Sequence, residues 1–515
     1  LLLVSNIIFS NKLSPPNTMK IYPTIEYLRE YAVNSKRIPI LGEKIIPPFD
    51  MAMLFKNLLY ENDKAFIYES KKGTKNTSQY SFMGIPNNNY VRIESEYSSV
   101  KLNENSEDIN GTVDDGWKAL NFESNVPNHH YSPHFWGGWV GYIAYEAGNS
   151  FEKLPKRKSN ELELPDAYFM QVDRLIVYDH NLNKLKYVIA AESHCDSSKY
   201  DQYTVEINNI WKKIESILSK GFIKSAVDKK NKASHPNSIK LRSNLSPNDY
   251  KKIVSRAKTY ISDGDIYQAN LSQRFDTEFN GDPLSLYLKL REVNPAPFSG
   301  FLKFSGFSII SSSPERLLKV QGDKLETRPI AGTRPRGNDA KKDAALTTEL
   351  LLNEKERAEH LMLVDLERND MGRVCQPGSV NVTELMRLEQ YSHVSHIVSN
   401  IEGKLKPNVS IYELLKSLFP GGTITGCPKI RCMEIINELE PSSRGPYSGS
   451  FGYIGFCQQL DFNILIRTIF IKNGKATFHV GAGIVADSDP DDEYEETLSK
   501  AAAMIEVLSD PISMD

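Results

Sequence analysis

The chain has 515 residues, a net charge of −3, 40% hydrophobic and 25% charged residues, which are values typical of a globular protein with roughly two to four domains. The charge shows no basic surplus of the kind that nucleic-acid-binding proteins carry. Five scattered cysteines without a Cys-x-x-Cys motif predict neither a disulfide framework nor a zinc site, and they favour the cytoplasm.

Residues 1–18 are interpreted as a possible non-native leader. Their apolar start, LLLVSNIIF, lacks a basic region and is too short to span a bilayer, whereas Met19 opens a more ordinary N-terminus. No later apolar run approaches the length of a membrane span, so we expect a protein without membrane contact.

Residues 19–220 are predicted to form a β-rich N-terminal domain. Runs such as FIYES and LIVYDHNLNKLKYVIAA combine β-branched and aromatic residues with Asn, Gly and Pro boundaries, and 203–220 is helical in pattern. Residues 221–243 are rich in Lys, Ser and Asn, which indicates a linker.

Residues 244–512 are predicted to form a second domain. It opens with Ser246 as N-cap and Pro247 at the first helical position. A hairpin over 299–320, one long helix over about 341–371 and a closing helix over 493–508 follow, with strands between them. Strands and helices without regular βαβ alternation favour an α+β fold.

Two Glu-x-x-Glu pairs lie far apart in this domain, Glu356/Glu359 and Glu493/Glu496. Helical i, i+3 spacing places both carboxylates of a pair on one face. If the helices meet, four oxygen ligands would repel each other unless a divalent cation, most naturally Mg²⁺, joined them. If they do not meet, the pairs are solvated helix faces.

Two glycine-rich turns carry further candidates. RPIAGTRPRG (328–337) contains Gly332, where the backbone can approach a ligand closely, and FPGGTITGCPKIR (419–431) precedes a helix whose N-terminus can receive a carboxylate. Both turns could equally serve packing alone. FNILIRTIFIKNG is predicted to be one strand with Arg467 in its middle, which predicts an anionic partner, because an unpaired buried charge is very costly.

These segments occur in an order that resembles the chorismate-utilising enzymes. The series is GDIYQANLSQRF, SSSPERLL, RPIAGTRPRG, EKERAEHLMLVDLERND, HIVSN, PGGTITGCPKIR, RGPYSGSFGY, LIRT and GAGIVADSDPDDEYEET, and it covers 245–510. FIYES and QYSFMG (66–84) are similar to the N-terminal part of that family. The resemblance implies two β-sheets packed as a sandwich and flanked by helices.

The resemblance also implies roles for individual residues. Glu359 and Glu496 would bind Mg²⁺ directly and Glu356 and Glu493 would orient its waters, while the metal holds the ring carboxylate of chorismate. The remaining roles concern the substrate: Tyr447, Arg467 and the backbone of Gly483 would hold the enolpyruvyl carboxylate, His396 would assist departure of the ring hydroxyl, and Gly332, Thr333 and Thr423 would line the ring.

One position bears on the nucleophile. Family members that use water carry a lysine base where this chain has Gln268, and an amide cannot act as a base near neutral pH. The resemblance therefore implies ammonia as the nucleophile. Since the chain shows no glutamine-hydrolysing module, a separate glutamine amidotransferase subunit is the expected partner.

The product is less well determined. YQANLSQRF, FPGGTITG and DFNILIRT resemble members that aminate ring carbon 4 to give 4-amino-4-deoxychorismate for folate synthesis. Ala331 resembles instead the members that aminate carbon 2 and expel pyruvate to give anthranilate. Many family members that aminate carbon 4 carry at this position a lysine that attacks ring carbon 2 covalently. Without that lysine, Glu315 in SPER becomes a candidate general base. A non-catalytic chorismate-binding homologue is the third hypothesis.

The short stretch YES (68–70) is similar to the family's tryptophan-binding element. A packed strand without ligand explains it equally well.

Overall fold

The computed structural model describes residues 18–31, 36–70, 79–102, 107–123, 126, 129–192, 195–220, 240–337, 339–390 and 394–509. The predicted leader, except residue 18, and the predicted linker, except residues 240–243, lie outside these ranges. Among the described residues, no helix combines the length and the apolar character that crossing a membrane would require.

The strands of the first half of the chain are β1 (Lys20–Tyr22), β2 (Arg37–Ile45), β3 (Ala65–Glu69), β4 (Tyr80–Gly84), β5 (Tyr90–Ile93), β6 (Ser98–Lys101), β7 (Ile109–Gly111), β8 (Gly138–Ile143), β9 (Ala167–Val172), β10 (Arg174–Asp179), β11 (Lys184–Glu192) and β12 (Arg242–Ser243). Those of the second half are β13 (Gln268–Glu278), β14 (Phe298–Phe304), β15 (Phe307–Ser313), β16 (Arg316–Gln321), β17 (Lys324–Arg328), β18 (Ile330–Pro335), β19 (Asn381–Gln390), β20 (Val394–Lys404), β21 (Gly426–Cys427), β22 (Ser450–Gly455), β23 (Gln459–Asn463), β24 (Thr468–Lys472) and β25 (Lys475–Ile484).

The α-helices are α1 (Ile25–Tyr31), α2 (Met51–Leu58), α3 (Val113–Ala119), α4 (Ser197–Ser219), α5 (Pro247–Ser262), α6 (Pro283–Val293), α7 (Ala340–Leu352), α8 (Glu354–Val374), α9 (Ile411–Leu418), α10 (Lys429–Leu439) and α11 (Pro490–Ser509). Short 3₁₀ helices cover Tyr145–Ser150 and Gly422–Ile424.

Two large antiparallel sheets contain these strands. In the first sheet the order is β1-β2-β11-β10-β4-β3-β14-β15-β24-β25-β13-β12, and in the second it is β18-β20-β17-β16-β23-β22-β8-β9-β5-β6-β7, with β21 beside β13 and β19 beside β20. Each sheet takes strands from both sides of the predicted linker. The β-rich N-terminal segment and the segment after the linker therefore share both sheets.

The sheets pack face to face as a sandwich with helices on the outer faces, which confirms the predicted α+β sandwich. Alternation along β10 shows how the first sheet is covered on both sides. Leu175 and Val177 pack between the sheets, whereas Ile176 and Tyr178 pack under the outer helices. On the second sheet, β8 directs Tyr142 between the sheets and its neighbours toward the helices.

Local signals in the sequence were accurate where a cap or a turn fixes the backbone. Ser246 caps α5 by accepting from the backbone N–H of Asp249, with Pro247 in the first turn, as predicted.

The prediction of one helix over 341–371 was wrong. Asn353 ends α7 and also caps α8 through the N–H of Glu356, so the chain starts a second helix there.

Arg467 was expected in the middle of a strand, and this was also wrong. The stretch FNILIRTIFIKNG divides into β23 in the second sheet and β24 in the first sheet. Arg467 lies on the crossover between them with φ of 52°, in the left-handed region that residues with a side chain seldom adopt. The crossover lets its guanidinium project where two sheets meet rather than from a regular strand face.

Candidate active site

The candidate residues lie on elements that converge from both sheets. Gln268 begins β13, and Glu315 lies between β15 and β16. Gly332 and Thr333 belong to β18, His396 to β20, Thr423 to the 3₁₀ helix Gly422–Ile424 and Gly483 to β25. Glu356 and Glu359 lie in the first two turns of α8, Glu493 and Glu496 in those of α11, Tyr447 just before β22, and Arg467 just before β24.

The two Glu-x-x-Glu pairs meet around Glu359. Burial raises the pKa of Glu359 to about 7, the Lys355 ammonium opposes the rise, and the carboxylates of Glu356, Glu493 and Glu496 add to it. Electrostatic interaction across two helices requires that their faces be close. The pKa of Glu493 is raised by burial, and one of its carboxylate oxygens is buried without a hydrogen bond among the described residues.

Three of these carboxylates have a cationic neighbour: Arg334 lies 3.0 Å from Glu356, Lys500 lies 2.6 Å from Glu496 and Lys355 lies 4.0 Å from Glu359. As arranged here, no three His, Cys, Asp or Glu side chains of the described residues form a group that could hold a metal ion. The oxygen-only donor set suits Mg²⁺ chemically. Binding would require the lysines to give way.

Gly332 connects the first Glu pair to His396. Its φ is 66°, and a Cβ at this position would lie 2.9 Å from a carboxylate oxygen of Glu356. Its carbonyl lies 3.3 Å from Nδ1 of His396. Because a carbonyl can only accept, Nδ1 carries the proton in that contact. Burial lowers the pKa of His396, and the Arg467 guanidinium acts in the same direction, so the imidazole is neutral at pH 7.

Arg467 lies at the other side of the site. Burial lowers its pKa, which nearby Tyr447 and Glu496 counteract, and it donates to the backbone carbonyl of Lys500 at 2.5 Å. Lys500 in turn donates to the carbonyl of Gly481 at 3.0 Å. The Tyr447 ring is buried, and its hydroxyl lies 2.7 Å from where a Cβ of Gly481 would stand. The Arg467 guanidinium and the Lys500 ammonium thus place positive charge beside the carboxylates.

Gln268 and Gly483 lie in direct contact. A Cβ at Gly483 would lie only 2.6 Å from Nε2 of Gln268, so a larger residue at 483 would displace the end of that side chain. The side-chain carbonyl of Gln268 is buried without a hydrogen bond among the described residues. The backbone of Gln268 pairs with Cys427 in β21, which joins β13 to the turn that carries Thr423.

Glu315 is a buried carboxyl group at the base of the same region. Burial raises its pKa to about 7, and the Thr423 hydroxyl, the Ile330 N–H and the Lys500 ammonium each counteract that rise. The Ile330 N–H lies 3.5 Å from one of its oxygens, a long contact. The Thr423 hydroxyl is buried and makes no hydrogen bond of good geometry among the described residues. Glu315 and Thr423 are thus neighbouring polar groups that are incompletely satisfied.

Arg444 is an organising residue that the sequence analysis did not identify. Its side chain is 1% exposed and forms a two-point ion pair with Glu440. It also donates to the carbonyls of Ile424 and Asn270, at 3.0 and 2.6 Å. The guanidinium therefore ties the Thr423 turn, the turn that carries Tyr447 and strand β13 together. In the sequence, the feature that could have identified Arg444 is its position in RGPYSG, three residues before Tyr447.

A separate cavity of about 340 Å³ lies between the sheets. Tyr68, Glu69 and Ser70, the stretch that resembled a tryptophan-binding element, are among its lining residues. Glu69 accepts from Arg291 at 2.8 Å and from the Tyr287 hydroxyl at 2.7 Å. The stretch is therefore a buried strand end that borders a cavity.

Comparisons with known proteins agree with this architecture. The chain is 39% identical over 496 residues to anthranilate synthase component 1 of Acetivibrio thermocellus, covering 95% of this chain and 99% of the relative. It is 43% identical over 392 residues to aminodeoxychorismate synthase component 1 of Bacillus subtilis, covering 76% and 80%. The crystal structure of anthranilate synthase component I from Streptococcus pneumoniae superposes with a TM-score of 0.70 at 32% identity, over 84% of this chain and 93% of that one. The family described as chorismate binding enzyme matches residues 63–506, and the chain belongs to that family.

Proposed function

We propose that the protein aminates chorismate in a Mg²⁺-dependent reaction that gives 4-amino-4-deoxychorismate, with ammonia from a separate glutamine amidotransferase subunit. One observation carries the proposal: two carboxylate pairs from distant parts of the chain meet at Glu359, next to the buried cation Arg467. Chorismate is a dianion, and its recognition requires positive charge at two places. A metal held by the carboxylates and the Arg467 guanidinium would supply both.

Glu359 and Glu496 would hold Mg²⁺, and Glu356 and Glu493 would orient its waters. When bound, the metal supplies the positive charge that holds the ring carboxylate and assists departure of hydroxide. The grouping of the four carboxylates suits this role. Burial and mutual repulsion raise the pKa of Glu359, and a bound divalent cation would remove the repulsion that contributes to this rise.

The other residues would act on the substrate directly. Arg467, Tyr447 and the backbone N–H of Gly483 would hold the enolpyruvyl carboxylate, and Gly332, Thr333 and Thr423 would line the ring. His396 would stand next to the departing hydroxyl. It is neutral in the free protein, but a bound dianion would raise its pKa and make the imidazole a better proton donor.

Ammonia rather than water is the proposed nucleophile because Gln268 offers no basic side chain. Its buried, unsatisfied carbonyl is instead suited to accept a hydrogen bond from an N–H group. The relatives from A. thermocellus and B. subtilis are both named component 1, which supports a second component for this chain too. That component would be the glutamine amidotransferase.

Anthranilate synthesis is the second candidate function. Ala331 and the relative from A. thermocellus, which matches along nearly the whole chain, favour it. The three segments YQANLSQRF, FPGGTITG and DFNILIRT and the 43% identical relative from B. subtilis favour 4-amino-4-deoxychorismate. These segments contain Gln268, Thr423 and Arg467 of the candidate site, so we give 4-amino-4-deoxychorismate precedence over anthranilate.

One experiment separates the hypotheses. The protein is incubated with chorismate, Mg²⁺ and an ammonium salt at pH 8, and the products are resolved by chromatography. Accumulation of 4-amino-4-deoxychorismate supports the proposal, whereas fluorescent anthranilate with release of pyruvate contradicts it and identifies the second candidate. Absence of turnover, with chorismate still bound, would support the hypothesis of a non-catalytic chorismate-binding homologue. Glu359→Gln serves as the control that lacks a metal ligand.

A further inference from the structure

Glu367 is a buried carboxyl group that none of the roles above uses. It lies on α8 two turns after Glu359, and its residue is 8% exposed. Charged side chains are seldom buried to this degree without a cationic partner. Lys429 is the cation whose charge acts on it, and this lysine already forms an ion pair with Asp370 at 2.5 Å.

The hydrogen bonds of Thr327 determine the charge on Glu367. The Thr327 hydroxyl contacts both the backbone carbonyl of Leu317, at 2.9 Å, and a carboxyl oxygen of Glu367. A hydroxyl has one proton, and a carbonyl can only accept. Both contacts are satisfied when Thr327 donates to Leu317 and Glu367 donates to Thr327. That arrangement requires a proton on Glu367.

The neighbours of Glu367 agree with a neutral carboxyl group. Burial raises its pKa to about 8, the Thr327 hydroxyl opposes the rise, Glu315 and Asp370 add to it, and Lys429 opposes it. Lys429 is engaged by Asp370 and also donates to the Leu418 carbonyl. Asp370 and Lys429 line a cleft of about 640 Å³, which brings solvent close to this side of Glu367.

Glu315 is one of the two carboxyl groups whose negative charge acts on Glu367. Its own charged neighbour among the described residues is Lys500, and its other polar neighbours are the Thr423 hydroxyl and the Ile330 N–H. We propose that Glu315 and Glu367 act as a coupled carboxyl pair, in which Glu367 keeps a proton in the resting protein and its charge controls when Glu315 can accept one.

The pair serves the amination reaction, and this part rests on the proposed function. As the C–N bond forms, the nitrogen of ammonia becomes positive and loses a proton to the Glu315 carboxylate. The C–O bond breaks, and the leaving hydroxide takes the proton that His396 carries once the dianion is bound and departs as water. A neutral Glu367 favours the ionised form of Glu315, which can then accept the proton, and it adds no second negative charge near the dianionic substrate. Glu367 is thus a positioning residue that acts through Glu315.

Infrared spectroscopy in D₂O tests the pair without any need for turnover. The wild-type protein should show the C=O stretch of a protonated carboxyl group at pH 6.5 that disappears as the pH passes about 8. Glu367→Gln should lack the component of this band that disappears near pH 8, whereas Glu315→Gln should keep that component and lose one that disappears near pH 7. A band that persists unchanged in Glu367→Gln would overturn the proposal. Thr327→Ser, which keeps the hydroxyl, is the matched control and should behave as the wild type.

Kinetics then test the coupling. At constant free ammonia, kcat of the wild type should show two inflections, near pH 7 and near pH 8, whereas Glu367→Gln should keep only the lower one. Two unchanged inflections in Glu367→Gln would refute the control of Glu315 by Glu367. If the protein does not aminate chorismate at all, the proposed function fails, but the infrared titration still decides whether Glu367 carries a proton in the resting protein.

Discussion

Replacing Glu367 by glutamine should change how the stability of the protein depends on pH. A carboxyl group with a raised pKa binds its proton more tightly in the folded than in the unfolded chain. Its contribution to stability is fully present below the unfolded pKa, near 4.5, and is lost as the pH rises through about 8. Glutamine cannot titrate, so the variant does not suffer this loss.

The size of the effect follows from the shift. Raising a pKa from 4.5 to about 8 corresponds to a change on the order of 4 kcal/mol in the free energy of unfolding. Relative to Glu367→Gln, the wild type should therefore lose on the order of 4 kcal/mol between pH 4.5 and pH 8.5. Glu315→Gln should show a smaller change of the same sign that is complete near pH 7, because burial raises that pKa only to about 7.

Urea denaturation, followed by tryptophan fluorescence at half-unit steps of pH, measures the difference directly. The quantity to compare is the variant's free energy of unfolding minus that of the wild type, since a constant effect of the amide then cancels. A difference that stays flat from pH 4.5 to pH 8.5 would show that Glu367 is ionised at neutral pH and would refute the proton assignment at Thr327. A slope of the opposite sign would refute it as well.

The remaining predictions concern the substrate site. Glu359→Gln should abolish turnover, and Mg²⁺ should raise the melting temperature of the wild type but not of this variant; an equal shift in both would remove the metal assignment. Arg444→Met leaves Glu440 buried without its partner and should lower the free energy of unfolding, measured by urea denaturation, by about 3–5 kcal/mol. Calorimetry should also show weaker chorismate binding. A decrease in the free energy of unfolding below 1 kcal/mol would contradict the organising role of Arg444. Ala331→Lys should give a covalent chorismate adduct by mass spectrometry if this side chain faces ring carbon 2, and an unmodified protein would show that it does not.

Sequence periodicity predicted which side chains share a helix face but not which faces meet. The i, i+3 spacing placed Glu356 with Glu359 and Glu493 with Glu496, and both pairs lie on helices as expected. Their meeting depends on sheets whose strands come from distant parts of the chain, such as β3 beside β14. That pairing has no local signal, so only the family resemblance could suggest it.

Local conformations were predictable only where one residue determines them. Gly332 was expected to allow close backbone approach, and its positive φ beside Glu356 gives the reason. The break between α7 and α8 was missed because Asn353 interrupts an otherwise continuous helical pattern. Arg467 was misplaced because the apolar residues on both sides of it belong to different sheets, and composition alone cannot distinguish one long strand from two.

Helix α8 shows why charge states are harder to predict than positions. Its buried face includes His360, Leu363, Glu367 and Met371, residues that the helical period places on one side. Whether a buried glutamate is ionised depends on cations from other elements. Arg334 from β18 reaches the first turn of the helix, at Glu356, whereas no described cation pairs with Glu367. One helix therefore carries Glu356, which is paired with Arg334, at the substrate site and, two turns after Glu359, a buried carboxyl group that has no ion-pair partner among the described residues.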